Sequence, residues 1–110
     1  MPVFERWDVV KVPYPYTNRP VTEHRPALVA AVIEEGPGLL WVVMITSAAN
    51  RAWPGDVPIV DPGAAGLPAP SVIRTAKITT IDAALASRLG TLPDAERHPV
   101  RTSLARRLVE

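Results

Sequence analysis

The chain has 110 residues, 21% of them charged, a formal net charge of +1 and no cysteine. That length supports one domain with a single core. The missing thiols exclude disulfide and thiolate chemistry, and from the near-neutral balance non-specific nucleic-acid binding does not follow by bulk electrostatics.

No apolar run approaches the ~18 residues that span a bilayer, and no basic-then-apolar leader opens the chain. The expected setting is therefore the cytoplasm, with no membrane partner and one domain over residues 1–110. Charge is spread unevenly along it. Residues 26–73 carry Glu34, Glu35, Asp56 and Asp61 against Arg51 alone. Residues 74–110 carry Arg74, Lys77, Arg88, Arg97, Arg101, Arg106 and Arg107 against Asp82, Asp94, Glu96 and Glu110. This basic last third is either a face for an anionic partner or a solvated helix surface.

Thirteen prolines cut the chain into short segments. WDVVKV (7–12) reads as a strand ended by Pro13. The stretch VPYPYTNRPVTEHRPAL (12–28) follows, a proline-rich connection that leads through Arg25-Pro26 into an apolar run. ALVAAVIEE (27–35) is nearly unbroken and predicts a strand buried on both faces. EEGPG (34–38) is a turn and LLWVVMITS (39–47) its returning partner, so residues 27–47 form a long hairpin. DVPIV (56–60) reads as a short edge strand, because Pro58 has no proton to give a ladder. DPGAAGLPAP (61–70) is a loop, and SVIRTAKITTI (71–81) a β-branched strand bent near Thr75. Asp82 is placed to cap a short helix, AALAS, and RLGTL (88–92) to add a small strand. PDAERH starts a helix with Pro93 in its first turn, and Pro99 then interrupts. Val100, Leu104 and Leu108, at four-residue spacing, give the final helix one apolar face. The result is a mainly β chain with short helices (α+β), folded as a small β-barrel.

Little chemistry is compatible with these residues. His24 and His98 lie far apart without a suitably spaced partner, so no metal site is expected. No glycine-rich phosphate loop is present, and no serine sits in a strand-to-helix elbow. Arginine beside hydroxyl remains. Antiparallel pairing through the turn at 34–38 brings Arg25 roughly opposite Thr46 and Ser47, at the open end of the hairpin. A guanidinium matches phosphate oxygens, and hydroxyls add neutral donors, so the set suits a phosphodiester. The plainer reading of Thr46-Ser47 is a strand-end turn.

WDVVKVPYPYTNRPVTEHRPALVAAV, VVMITSAAN, SVIRTAKITTID and RLGTLP resemble, in order, landmarks of the PemK/MazF family of toxin ribonucleases. These are the toxic halves of bacterial type II toxin–antitoxin pairs. The resemblance implies an SH3-like barrel with a C-terminal helix, a homodimer, a cognate antitoxin and cleavage of single-stranded RNA without a cofactor. The ribose 2′-hydroxyl attacks its own phosphate, leaving a cyclic phosphate and a 5′-hydroxyl. Carried over, Arg25 and Thr46 match catalytic positions, Ser47 lies beside them, and Arg74 matches an arginine that serves some members as general acid. In many members an aspartate stands two residues after that second arginine; here it is Ala76. His24 and Glu23 are then candidates for activating the 2′-hydroxyl, and Lys77 for holding phosphate. Two alternatives keep the fold without cleavage: a gyrase-binding toxin, and an impaired member that binds only its antitoxin.

Overall fold

The unbroken apolar runs of the first half of the chain become the middle of one antiparallel sheet. The computed structural model describes residues 3–15, 22–36 and 38–109, so much of the proline-rich connection, residues 16–21, lies outside the described residues. Strands β1 (Asp8–Pro15), β2 (Thr22–Ile33), β3 (Leu39–Ser47), β4 (Val57–Pro58), β5 (Ser71–Asp82) and β6 (Ser87–Thr91) precede helix α1 (Arg97–Val109). They form a six-stranded sheet in the order β4-β5-β3-β2-β1-β6. Every neighbouring pair is antiparallel.

Both faces are covered over residues 27–29 of β2 and 42–46 of β3, which explains why the runs read as continuous rather than alternating. Leu28, Val43 and Ile45 pack with Val9, Ile73, Val100 and Leu104. Val29, Val42 and Met44 pack on the other side with Val10, Val12 and Ile81. The edge strands β4 and β6 do not pair with each other, so the sheet curls into a half-barrel. The loop after β4 bridges the gap. Val60 and Asp61 donate their N–H groups to the Glu96 carboxylate. Gly66 adopts φ +82°, and a Cβ there would run into the Leu89 carbonyl oxygen of β6. A Cβ on Gly90 would meet the Ala65 carbonyl oxygen in return. Two side-chain-free residues thus let the loop seal the barrel backbone against backbone.

The expected class, a small SH3-like β-barrel with a C-terminal helix, is the one observed. β3 has the expected bounds, and β5 is bent where expected: Val43 pairs with Ile78 but Met44 with Arg74, so residues 75–77 are looped out of the ladder. β1 and β2 run further than their prolines suggest. β1 pairs with β6 only from Asp8 to Lys11, so Pro13 lies where no second neighbour needs its missing N–H. β4 is only two residues long. The segment after Asp82 is a single 3₁₀ turn, Ala83–Leu85, with the Asp82 carboxylate accepting from Ala84 N–H. Pro99 does not interrupt a helix. Asp94–Glu96 form a 3₁₀ turn, and α1 begins at Arg97 with Pro99 in its first turn, where a missing N–H is tolerated. Leu108 is exposed, because only Val100 and Leu104 of the expected stripe lie over the core.

Gly66→Ala is expected to lower stability by about 2 kcal/mol or more, from left-handed backbone cost plus overlap with Leu89. That corresponds to a fall in Tm of roughly 10 °C for a chain of this size. Gly63→Ala is the control: its Cβ would meet nothing closer than the Asp61 carboxylate at 3.6 Å, and little change is expected. Thermal denaturation of the two variants measures the difference, and equal Tm values would refute the interlock.

Candidate active site

The site grows out of the β2–β3 register. Ala27 pairs with Met44, and the same register continued by two residues sets Arg25 opposite Thr46. Arg25 is inside β2, paired with Val12 of β1, rather than in the connection before it. Its Nη2 donates to Thr46 Oγ1 at 3.5 Å, the outer limit of a hydrogen bond. Asn50, in the loop after β3, donates from Nδ2 to the same oxygen at 2.6 Å. A hydroxyl has two acceptor lone pairs and one proton. With both lone pairs facing donors, the Thr46 proton is left to be given to something else.

Arg25 Nε is buried and has no acceptor among the described residues. An unmet buried donor carries a desolvation penalty, and an anion entering the site would remove it. Strand alternation puts Glu23, two residues away, on the face that Arg25 occupies, and His24 on the opposite face. Likewise Ser47 alternates away from Thr46. It is exposed, and its Oγ accepts from Ala49 N–H at 3.1 Å, a strand-end turn.

Arg74 shares the Thr46 face, paired with Met44 two residues along β3. It is buried, at 6% exposure. Its Nε and Nη2 donate to the two Asp56 carboxylate oxygens at 3.2 and 3.0 Å, and Nη2 also donates to the Arg51 carbonyl at 2.7 Å. The guanidinium carbon lies 4.3 Å from the centroid of the Trp53 ring, and Lys77 Nζ lies 5.2 Å from it. Burial alone would raise the Asp56 pKa. The Arg74 hydrogen bond, the Trp53 N–H and the charges of Arg74 and Arg107 outweigh it and hold the carboxyl below its usual value of 3.8. Ala76 is exposed in the looped-out part of β5.

The structure thus brings Arg25 and Thr46 into contact and sets Glu23 and Arg74 on their face, with Lys77 beside Trp53. Ser47 and His24 lie on the other side of their strands. Asn50, Trp53 and Asp56 were not singled out from the sequence. Asn50 has the composition of an ordinary turn residue, and Asp56 reads only as one charge in an acidic stretch. Their loop is held from behind by α1: Ser103 Oγ donates to the Gly55 carbonyl at 2.8 Å, and Arg107 Nη2 donates to that of Pro54. Among the described residues, no group of three His, Asp or Glu side chains gathers to hold a metal ion. No helix there is long and apolar enough to cross a membrane.

A curled antiparallel half-barrel closed by one C-terminal helix, with a guanidinium and a buried hydroxyl brought together on one face of the sheet, defines a small SH3-like β domain. The chain belongs to a family with that build, the PemK-like, MazF-like toxins of type II toxin–antitoxin systems, whose model matches residues 5–108. Curated protein sequences give no significant match. Among solved structures, a mycobacterial endoribonuclease in complex with its cognate antitoxin is similar at TM-score 0.73 and 18% identity, over 97% of this chain and 96% of that one. MazF from Deinococcus radiodurans is similar at TM-score 0.73 and 21% identity, over all of both chains. The Mycobacterium tuberculosis toxin MazF-mt6 follows at 0.69 and 20%, over 90% of this chain and 93% of that one.

Because the folded Asp56 pKa lies below its unfolded value, its ion pair stabilises the chain fully above that value. The contribution is lost as pH falls through the folded pKa. Asp56→Asn should cost about 3 kcal/mol at neutral pH by leaving Arg74 buried without its counter-charge. The Tm gap between wild type and variant should narrow as pH falls below ~4. Melting curves between pH 7 and 3 test this; a gap that stays constant would rule out the ion pair as its source.

Proposed function

We propose that this toxin is a cytoplasmic endoribonuclease, a single toxin domain that cleaves single-stranded RNA without a metal ion. The observation that carries the reading is the buried Arg25 Nε, with no acceptor among the described residues, beside a Thr46 hydroxyl whose proton is left to donate. Those donors suit a phosphodiester and, more so, the dianionic phosphorane formed when it is attacked.

In the proposed reaction the 2′-oxygen bonds to phosphorus as its proton passes to a base, and the bond from phosphorus to the 5′-oxygen breaks. That oxygen takes up a proton, so the products are a cyclic phosphate and a 5′-hydroxyl. Glu23 is the carboxylate on the Arg25 face and takes the part of base. Arg74 keeps Nη1 for the substrate, since Nε and Nη2 are engaged by Asp56 and Arg51. The partners are a second copy of the chain and a cognate antitoxin. Exposed Trp41 and Ile78 support the first, and the antitoxin bound to the mycobacterial neighbour supports the second.

Purified protein incubated with a long single-stranded RNA should give fragments with 5′-hydroxyl ends, equally with and without a chelator. Arg25→Ala should lower the rate by roughly 10²-fold, as loss of a charge-stabilising donor does. Thr46→Val should cost about tenfold, the value of one neutral hydrogen bond. Full cleavage by folded Arg25→Ala would overturn the assignment. No cleavage by wild type would favour a non-cleaving toxin, with Ala76 as the reason if the antitoxin still binds and gyrase inhibition as the sign of the other alternative.

A further inference from the structure

We propose that Trp53 is a stacking platform for one unpaired base of the RNA, next to the phosphate held by Arg25 and Thr46. The inference rests on the ribonuclease reading and adds a subsite to it.

A partly exposed indole is ordinary on a protein surface; the way this one is held is not. Trp53 keeps 38% of its surface open while the buried Arg74 guanidinium lies 4.3 Å from its centroid. Its backbone N–H donates to Asp56 Oδ2 at 2.9 Å, the same oxygen that accepts from Arg74 Nη2. The next two carbonyls are also tied, Pro54 to Arg107 and Gly55 to Thr75 and Ser103. The ring is therefore fixed before any ligand arrives, so little side-chain freedom is lost on binding. Tryptophan also offers the largest aromatic face among the side chains, and stacking is the means by which proteins hold unpaired bases.

Its position suits that task. Asn50, three residues earlier on the same loop, is bonded to Thr46, so one loop touches the phosphate pair and carries the platform. Arg74 is one strand over from Thr46 and two residues along, a diagonal of about 7–8 Å that a single nucleotide spans. Lys77 Nζ, 5.2 Å from the ring centroid, adds positive charge beside the ring. Stacking overlap grows with ring area, so a purine is favoured over a pyrimidine.

The test uses end-labelled 2′-O-methyl oligonucleotides, whose blocked nucleophile prevents cleavage: oligo(A), oligo(U) and an abasic oligomer of equal length. Fluorescence anisotropy gives their affinities for wild type, Trp53→Leu and Trp53→Phe. Leucine keeps apolar cover over Arg74, phenylalanine keeps an aromatic face, and melting curves establish that both variants fold. Wild type should bind oligo(A) more tightly than oligo(U). Trp53→Leu should weaken oligo(A) about tenfold and leave the abasic oligomer unchanged, while Trp53→Phe retains most of the affinity. Unchanged oligo(A) binding by Trp53→Leu overturns the platform, as does an equal loss for the abasic oligomer. So does a loss confined to the antitoxin, which would assign the indole to the protein partner. If wild type cleaves RNA while the variant binds oligo(A) as well as wild type, the platform fails and the ribonuclease reading stands. If folded wild type binds no oligomer, both fail.

Discussion

Two register shifts in the central strands decide where the charged groups of this protein lie. In the β2–β3 ladder, Val29 pairs with Val42 but Ala31 with Trp41, so the strands are in one register near the site and another near the turn. On the site side, a slip by one residue would turn Thr46 away from Arg25 and move each apolar side chain to the wrong face. Burial on both faces forbids that slip. The second shift lies in β5. Without it, the pairing of Val43 with Ile78 would continue to set Lys77 opposite Met44; with it, Arg74 takes that place. Three looped-out residues therefore exchange a flexible ammonium for a planar guanidinium on the Thr46 face.

The two arginines of that face are held in opposite ways. Arg74 has a bidentate carboxylate, a carbonyl and an aromatic ring, and its charge is largely cancelled by Asp56. Such a buried pair contributes geometry more than stability. Here the geometry is that of the loop between β3 and β4, since Asp56 also receives the Trp53 N–H. Among the described residues, Arg25 keeps a buried donor without an acceptor and makes one long contact, to Thr46. One guanidinium is a fastener; the other is not tied down in that way.

Much of this was legible in the sequence where local rules suffice. The hairpin follows from two apolar runs around a Gly-Pro-Gly turn, and counting outward from that turn is enough to bring Arg25 near Thr46. The proline positions were less legible, because a proline is harmless or disruptive according to its neighbour across the sheet. Pro13 is tolerated since β6 has already ended beside β1, a fact set by residues about 75 positions later in the chain. Asn50, Trp53 and Asp56 were illegible for a related reason. Their loop follows a path fixed by Arg74 and by the helix, 18 to 53 residues away in sequence. Leu108 fits a helical stripe, but the core ends one turn before it.

The buried Thr75 hydroxyl joins these distant parts. It lies 2.7 Å from Ser103 Oγ, donates to the Gly55 carbonyl at 3.2 Å and accepts from Arg107 Nε at 3.3 Å. Thr75 itself belongs to the looped-out turn of β5 beside Arg74. Helix, loop and strand bend thus share one small polar knot, and none of them can open without exposing the hydroxyls of the others. Sub-global opening is then cooperative: fraying that reaches Ser103 releases the loop carrying Asn50, and amide protons in both segments exchange with solvent as a single unit.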